Sequence, residues 1–335
     1  MIRSTSGKEA YFFMPKRKAS LTVKADLSDL FTEKHERKVV EGYSIEKALD
    51  TVIRQMRAAG LRKRTISDYE LHVNHFVKIT GAKVIEELST NHIYDWLSSM
   101  DVSNQTKLTR LKCLKAFLRR CFNNGWIAVN FWNDIKIKVD SPVKEGATDR
   151  EIKLLLSMLD LSRFVELRDA AAILTMYQTG VRVGTLSQLE NKHVNLESKL
   201  LTIDGGIIKN HESIYLPFDN VLARIISALV KQNDLIRREH GVHNDYLFIT
   251  KNGGQLVTST NNNNVTKRLC KYAREYGLKN INPHALRRGF AKNLLTKGAN
   301  IALISKALGH SDIAVTTRYL HLDKEEIVES LRKYL

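Results

Sequence analysis

The sequence has few acidic residues, few cysteines and no long uninterrupted apolar run. Its 36 Asp and Glu residues accompany 53 Lys and Arg residues, which leaves a formal net charge of +17. Cys113, Cys121 and Cys270 match no metal-ligand spacing, so a structural zinc site is not expected. Without a run of about 18 apolar residues, no membrane-spanning helix is expected. The surplus of positive charge indicates a polyanionic partner, with DNA or RNA as the first candidate.

The cysteines and the amino terminus both predict a reducing, cytoplasmic environment. Cys113 and Cys121 lie eight residues apart in an amphipathic helical pattern, so we expect both to be buried thiols. The first 20 residues contain no apolar core of a signal peptide, which also favours the cytoplasm. These features leave open a second class of protein, a basic protein associated with ribosomes.

The length and the apolar content predict two domains. A chain of 335 residues with 43% hydrophobic residues exceeds one ordinary small domain and can form two cores. Residues 1–42 are polar and charged and predict an N-terminal arm or accessory segment. Residues 43–132 contain four amphipathic helical patterns, and residues 133–147 mix charge, Pro and Gly as a linker does. Residues 148–335 then form the second domain.

The second domain is predicted to be mainly helical with one small antiparallel sheet. Thr148 or Asp149 caps its first helix, and Gly180 ends a long apolar helix. Between residues 193 and 218, Leu, Ile, Thr and Tyr alternate with polar residues around a Gly pair, which is typical of short strands. Further helices are predicted at 219–234, 260–277, 283–297, 301–309, 312–320 and 323–334.

The last helix of the first domain carries a run of basic residues that no acid interrupts. Residues 104–125 have an apolar stripe and a separate basic face. Such a face is either a solvated surface or a contact to the DNA backbone. The candidate DNA contacts are Lys107, Arg110, Lys112, Lys115 and Arg119.

A second set of polar residues, spread over the second domain, could perform chemistry. His284 and Arg287 lie three residues apart and share a helix face, while His310 directly follows a helix-ending Gly309. The remaining members are Arg182, Lys209 and Tyr319. The set is rich in cations and offers neither a carboxylate base nor a metal cage.

A phosphodiester is the substrate class that suits these residue types. The planar fork of an arginine matches two non-bridging phosphate oxygens, and fixed cations stabilise the charge that develops there. A tyrosine phenol can attack phosphorus and form a covalent ester. Because that ester keeps the phosphodiester energy for religation, we expect no cofactor, neither ATP nor a metal ion. Each motif alone is weak, since a His-x-x-Arg pair is commonly surface polarity and a tyrosine commonly belongs to a core.

The ordered combination resembles the tyrosine recombinase family, the phage-integrase-like site-specific recombinases. "TGVR" supplies Arg182, "HALR" supplies His284 and Arg287, and "LGH" supplies His310. The family nucleophile lies nine residues beyond that histidine, where this chain has Tyr319. The family lysine lies in a hairpin before a strand that ends in Pro, which Lys209 and Pro217 fit.

Three positions depart from the family pattern. Thr185 replaces an acidic residue that many relatives carry three positions after the first arginine. Arg288 stands where many members have His. The resulting "LRR" sequence resembles integrases of phages and mobile elements more than chromosome-dimer-resolving recombinases. The hairpin around Lys209 lacks the usual Gly and Lys residues, and Lys192, before the predicted sheet, is a poorer substitute.

The resemblance implies a helical core-binding domain that contacts DNA, followed by the catalytic domain. It also implies a specific double-stranded DNA site, a 3′-phosphotyrosyl intermediate on Tyr319 and a homotetramer on two synapsed duplexes. The amphipathic C-terminal helix would either dock on a neighbouring protomer or pack on its own domain. Two alternatives remain: a monomeric type IB topoisomerase, which shares the chemistry, and a non-catalytic DNA-binding regulator.

Overall fold

The computed structural model describes residues 42–140, 144–207, 213–257, 263–310 and 312–320, with the backbone alone at 318 and 319. The chain divides into two compact units, residues 1–141 and 142–335. Among the described residues, no helix combines the length and the apolar character that crossing a membrane requires.

In the described part of the first unit, residues 42–140, the chain forms a bundle of four α-helices, as the sequence predicts. A serine caps two of them: Ser44 accepts a hydrogen bond from the backbone N–H of Lys47, and Ser103 from that of Thr106. The apolar faces meet in one core around the fully buried Trp96. The helices are α1 (Ile45–Ala58), α2 (Lys63–Thr80), α3 (Thr90–Ser98) and α4 (Asn104–Asn123), with a 3₁₀ turn at Ile85–Glu87.

The first half of the predicted linker belongs structurally to this helical unit. Ile135 is buried in its core, and Ile137 packs against the same cluster. The Lys115 ammonium donates hydrogen bonds to the carbonyls of Asn133 and Ile135, at 3.0 and 2.7 Å. Asn104 holds the carbonyl of Lys138 in the same way. The chain therefore remains attached to α4 for several residues beyond 132.

The expectation of two buried thiols is right for Cys121 and wrong for Cys113. Cys121 lies in the core of the first unit, and burial raises the pKa of its thiol. Cys113 is only partly buried, because at 100° per residue it lies about 40° beyond Phe117, just outside the buried stripe that runs from Leu111 to Phe117 around the helix. Cys270, in the second unit, is exposed.

The second unit is mainly helical and is organised around one buried helix. Its members are α5 (Asp149–Ser157), α6 (Phe164–Thr179), α7 (Val183–Leu186), α8 (Asn220–His240), α9 (Asn264–Glu275), α10 (Pro283–Thr296), α11 (Ile301–Ala307) and α12 (Ile313–Leu320). Helix α6 is buried over most of its length, and both α8 and α10 pack against it. Helix α8 runs six residues past its predicted end, because the charged residues after 234 favour a helix and Gly241 ends it. The predicted helix 323–334 falls outside the described residues.

Thr148 confirms the predicted cap at the start of this unit. Its hydroxyl accepts a hydrogen bond from the backbone N–H of Glu151, whose carboxylate accepts one from the backbone N–H of Thr148, which completes a capping box. Directly before it, the backbone N–H of Ala147 donates to the carbonyl of Ala285. A Cβ on Gly146 would lie 2.6 Å from the backbone nitrogen of Gly289, so both glycines permit this close approach to α10.

The predicted antiparallel sheet is confirmed and has three short strands. They are β1 (Val194–Asn195), β2 (Leu200–Ile203) and β3 (Ile214–Pro217), in the spatial order β1-β2-β3. In β2 and β3, Leu201 pairs with Leu216 and Ile203 with Ile214. The connection between them contains Lys209, which lies outside the described residues.

Candidate active site

Arg287 occupies the centre of the candidate site. Helix α10 begins with Pro283 at its first turn, and the Asn282 side chain caps it by accepting from the N–H of Ala285. Arg287 follows one turn later with only 5% of its surface exposed. His284 lies on the same helix, closer to its amino terminus and exposed. The helix therefore fixes the spacing between the two residues of the "HALR" motif.

The guanidinium of Arg287 connects helix α10 to two other segments of the chain. It donates hydrogen bonds to the carbonyl of Gly180 and to the carbonyl of Leu308. It also lies 3.1 Å from Nε2 of His310. Gly180 ends α6 in the left-handed conformation, with φ of 65°, and the Phe290 ring fills the space that a side chain there would need.

Arg182 reaches the same carbonyl from another direction. It precedes α7, and its Nη1 lies 3.4 Å from the carbonyl oxygen of Leu308. The side chains of Arg182 and Arg287 thus converge on one backbone oxygen, although 105 positions separate them in the sequence. Two forked cations at one place can hold the oxygens of a single tetrahedral phosphate.

Desolvation and nearby positive charge together lower the pKa of both histidines. Desolvation, followed by the charges of Arg287 and Arg182, lowers the pKa of His310 to about 4. Desolvation and several cations, with Arg288 first, lower the pKa of His284 below its ordinary value. Both imidazoles are therefore neutral at pH 7, and a neutral His284 can accept a proton.

Helix α12 connects the predicted nucleophile to this cluster. The Thr316 hydroxyl lies 2.8 Å from Nδ1 of His310, and the Thr316 side chain is fully buried. Leu320, on the same helix, packs in a small cluster with Phe290 and Leu308. Tyr319 belongs to α12 by its backbone, and its side chain falls outside the described atoms. Its role as nucleophile stays a prediction.

The residues that depart from the family pattern have structural roles of their own. Thr185 is buried in α7. Arg288 donates from Nε to the carbonyl of Glu145, so it holds the segment before α5 against α10. Lys192 is exposed and pairs with Glu190 at 2.7 Å, and that partner raises its pKa.

The five cations proposed to contact DNA do not share one face of α4. Lys112 and Arg119 are exposed. Lys115 donates to the carbonyls described above, and Nη1 of Arg110 lies 3.1 Å from Sδ of Met100. Lys107 is partly buried. Lys112 and Arg119 are thus best placed for a phosphate, and DNA contact by any of the five stays a prediction.

Over the described ranges, no three His, Cys, Asp or Glu side chains are grouped as metal ligands would be. Sequence reasoning missed Thr316 and the carbonyls of Gly180 and Leu308. The single available signal for Thr316 was its spacing, three residues before Tyr319, which places it on the tyrosine's own helix face or next to it.

Comparisons with known proteins identify the family of this chain. The phage integrase family matches residues 147–326, and its N-terminal SAM-like domain matches residues 49–127. The chain is 27% identical over 281 residues to tyrosine recombinase XerD of Chlamydia pneumoniae. This alignment covers 81% of this chain and 89% of the relative. It is 26% identical over 278 residues to tyrosine recombinase XerC of Bacillus pumilus, covering 80% and 88%.

Solved structures show the same fold. The Tn1549 transposon integrase in complex with transposon right end DNA has a TM-score of 0.69 at 18% identity, covering 85% of this chain and 98% of that chain. A lambda integrase dimer bound to a core site has a TM-score of 0.62 at 16% identity, covering 82% and 95%. The family match spans more than half of the sequence, so the chain belongs to the phage integrase family and is a tyrosine recombinase.

Proposed function

We propose that this protein cleaves and rejoins DNA at a specific site by transesterification. The Tyr319 oxygen attacks the scissile phosphorus, forms a 3′-phosphotyrosyl bond and displaces the 5′ oxygen. His284 takes the phenolic proton, and Lys209 supplies a proton to the departing 5′ oxygen. A free 5′-hydroxyl of the partner duplex then reverses these steps, which joins the exchanged strands.

One observation carries this proposal: two arginines converge on the carbonyl of Leu308 beside a neutral histidine. Arg182 and Arg287 would hold the non-bridging oxygens, and His310 would donate a hydrogen bond to one of them. Negative charge grows on these oxygens during attack, so donors already fixed in place lower the barrier. The net charge of +17 supports DNA as the partner, and we expect the protein to act in the cytoplasm.

We further propose that the protein integrates or excises a mobile element as a homotetramer on two synapsed duplexes. Arg288 follows the "HALR" motif, as in the integrases that the sequence resembles. Strand exchange between two duplexes requires four cleavages, one by each protomer. The C-terminal helix predicted at 323–334 would exchange between neighbouring protomers in this assembly.

A covalent adduct is the decisive test of the chemistry. The substrates would be overlapping duplexes that cover the DNA on both sides of the gene, each with a nick in one strand. When the protein cleaves close to the nick, the short piece of DNA between the two breaks diffuses away, so the adduct cannot be religated. We expect a denaturing gel to show a protein–DNA adduct with the wild type and none with Tyr319→Phe. DNA binding without any adduct would mean a non-catalytic regulator. Relaxation of a plasmid that lacks this DNA would instead indicate a topoisomerase.

The mobile-element role has its own test. A plasmid carrying the gene with its flanking DNA would be introduced into cells, and a circular junction of the two element ends would be sought by amplification. We expect a junction with the wild type and none with Tyr319→Phe. Exchange confined to two identical copies of one site would show a resolution role instead.

A further inference from the structure

A buried threonine on the tyrosine-bearing helix contacts the histidine of the candidate site. Oγ1 of Thr316 lies 2.8 Å from Nδ1 of His310, and none of the Thr316 surface is exposed. The neighbouring Thr317 is different, because it is exposed and donates its hydroxyl to the carbonyl of Ile313 in its own helix. Adjacent threonines on one helix therefore have different partners.

The contacts of His310 determine which ring nitrogen carries the proton. Arg287 lies 3.1 Å from Nε2, and a guanidinium has only donors, so Nε2 must accept. A neutral imidazole has one donor and one acceptor nitrogen, so its proton is on Nδ1 and is donated to Thr316. Desolvation and the two arginines favour this neutral ring, since they lower the pKa of His310 to about 4.

The same ring needs the opposite tautomer to hold a phosphate oxygen. A phosphate oxygen accepts hydrogen bonds, so Nε2 of His310 must carry a proton when it faces one. If the ring stays neutral, Nδ1 then becomes an acceptor. A threonine hydroxyl can both accept and donate, so Thr316 can bond Nδ1 in either tautomer by rotating its O–H. A group that only donates or only accepts would leave one tautomer without its partner.

We infer that Thr316 is a positioning residue of the cleavage reaction, one that holds His310 while its proton changes from Nδ1 to Nε2. Solvent removes the proton from Nδ1 and supplies one to Nε2, so the net charge of the ring does not change. The inference rests on the proposed function, because it assigns the Nε2 proton to a phosphate oxygen. It also connects the phosphate-binding histidine to α12, the helix to which Tyr319 belongs.

Two substitutions at 316 and one at 317 separate this role from packing. Thr316→Val keeps the shape and removes the hydroxyl, Thr316→Ser keeps the hydroxyl, and Thr317→Val is the matched control on the same helix. On the DNA that the wild type cleaves, we expect Thr316→Val to slow single-turnover cleavage roughly tenfold, the usual effect of losing one hydrogen bond. Thr316→Ser and Thr317→Val should remain within about threefold of the wild type, because both keep the hydroxyl at 316.

A double-mutant cycle with His310→Ala identifies the residue through which Thr316 acts. We expect Thr316→Val to cause no further slowing in the His310→Ala protein, because the group that it positions is gone. An equal loss in both backgrounds, or wild-type rates in Thr316→Val, would overturn the inference. Failure of the wild type to form an adduct would instead refute the proposed function.

Nitrogen NMR of the DNA-free protein tests the tautomer independently of cleavage. At pH 7 we expect the wild-type His310 signals to show a protonated Nδ1 and an unprotonated Nε2. Because Arg287 still donates to Nε2 in Thr316→Val, the tautomer should stay the same, but the Nδ1–H loses its acceptor, so its signal should shift and its proton should exchange faster with water, while Thr317→Val should match the wild type. A wild-type ring protonated on Nε2, or spectra unaffected by Thr316→Val, would contradict the assignment.

Discussion

Truncation of Arg287 should reduce both folding stability and cleavage, whereas truncation of Arg182 should reduce cleavage alone. Arg287 is buried and donates to the carbonyls of Gly180 and Leu308, so Arg287→Ala leaves the first carbonyl without this donor and the second with only the long contact from Arg182. Each such acceptor costs about 1–3 kcal/mol, and release of a buried charge offsets part of that cost. We therefore expect a loss of about 2–4 kcal/mol, or roughly 5–15 °C in the Tm of the second unit.

Arg182 provides the matched comparison within the same site. It is only partly buried, and its contact to Leu308 is long, at 3.4 Å. Arg182→Ala should change the free energy of unfolding by less than about 0.5 kcal/mol, because the carbonyl of Leu308 keeps its shorter hydrogen bond from Arg287. Both variants should lose cleavage by about 100-fold or more, because each removes a donor to the developing charge.

The distribution of tryptophan makes this comparison measurable in the intact chain. All three tryptophans, Trp96, Trp126 and Trp132, lie in the first unit. Their fluorescence therefore follows that unit, while circular dichroism follows the helices of both. We expect the tryptophan transition to keep its wild-type midpoint in both variants. The midpoint of the second unit, followed by circular dichroism, should fall in Arg287→Ala alone. Equal loss of stability in the two variants, or none in Arg287→Ala, would refute the reasoning.

Three further predictions concern stability and acid sensitivity. Acidification from pH 6.5 to about 4 should destabilise the second unit by about 1 kcal/mol after allowance for solvent screening. In this range His310 binds a proton in the unfolded chain and not in the folded one. If the Tm of His310→Gln falls with pH as steeply as that of the wild type, the prediction is wrong. Lys115→Met should lower the free energy of unfolding of the first unit by about 1–2 kcal/mol, measured by tryptophan fluorescence, while the exposed control Lys112→Met should not. Loss of DNA affinity in Lys115→Met at unchanged stability would indicate a phosphate contact instead. Gly289→Ala should lower the Tm of the second unit, because its Cβ would overlap the carbonyl of Ala147, and an unchanged melt would show that this segment can move aside.

The sequence predicts side-chain identities at the site better than it predicts their partners. The motifs around Arg182 and Arg287 place the arginines because short spacing fixes helix ends and helix faces. Neither motif can indicate the carbonyl of Leu308, because every residue has a carbonyl and the contact spans 126 positions from Arg182. A pattern of side chains contains no information on which backbone oxygen will be free at a helix end.

The linker and the basic face of α4 show a similar limit. Residues 133–147 look irregular and charged, yet Ile135 is buried in the first unit. Lys115 looks like part of a solvated or DNA-binding face, yet its ammonium donates hydrogen bonds to the carbonyls of Asn133 and of that isoleucine. Helical periodicity predicts the direction in which a side chain points. It does not predict which segment packs against that side chain, because the segment comes from another part of the chain.

The choice of acceptors around Arg287 explains how this site stays attractive to an anion. The partners named above are two carbonyls and a neutral imidazole, which satisfy hydrogen bonds without cancelling charge. A carboxylate there would stabilise the fold more and would also neutralise the cation. Thr185 occupies the position where many relatives have an acid, so this chain has one fewer carboxylate close in sequence to Arg182. Desolvation, followed by the charges of Arg287 and Arg182, lowers the pKa of His310, and a phosphate would meet the same two cations.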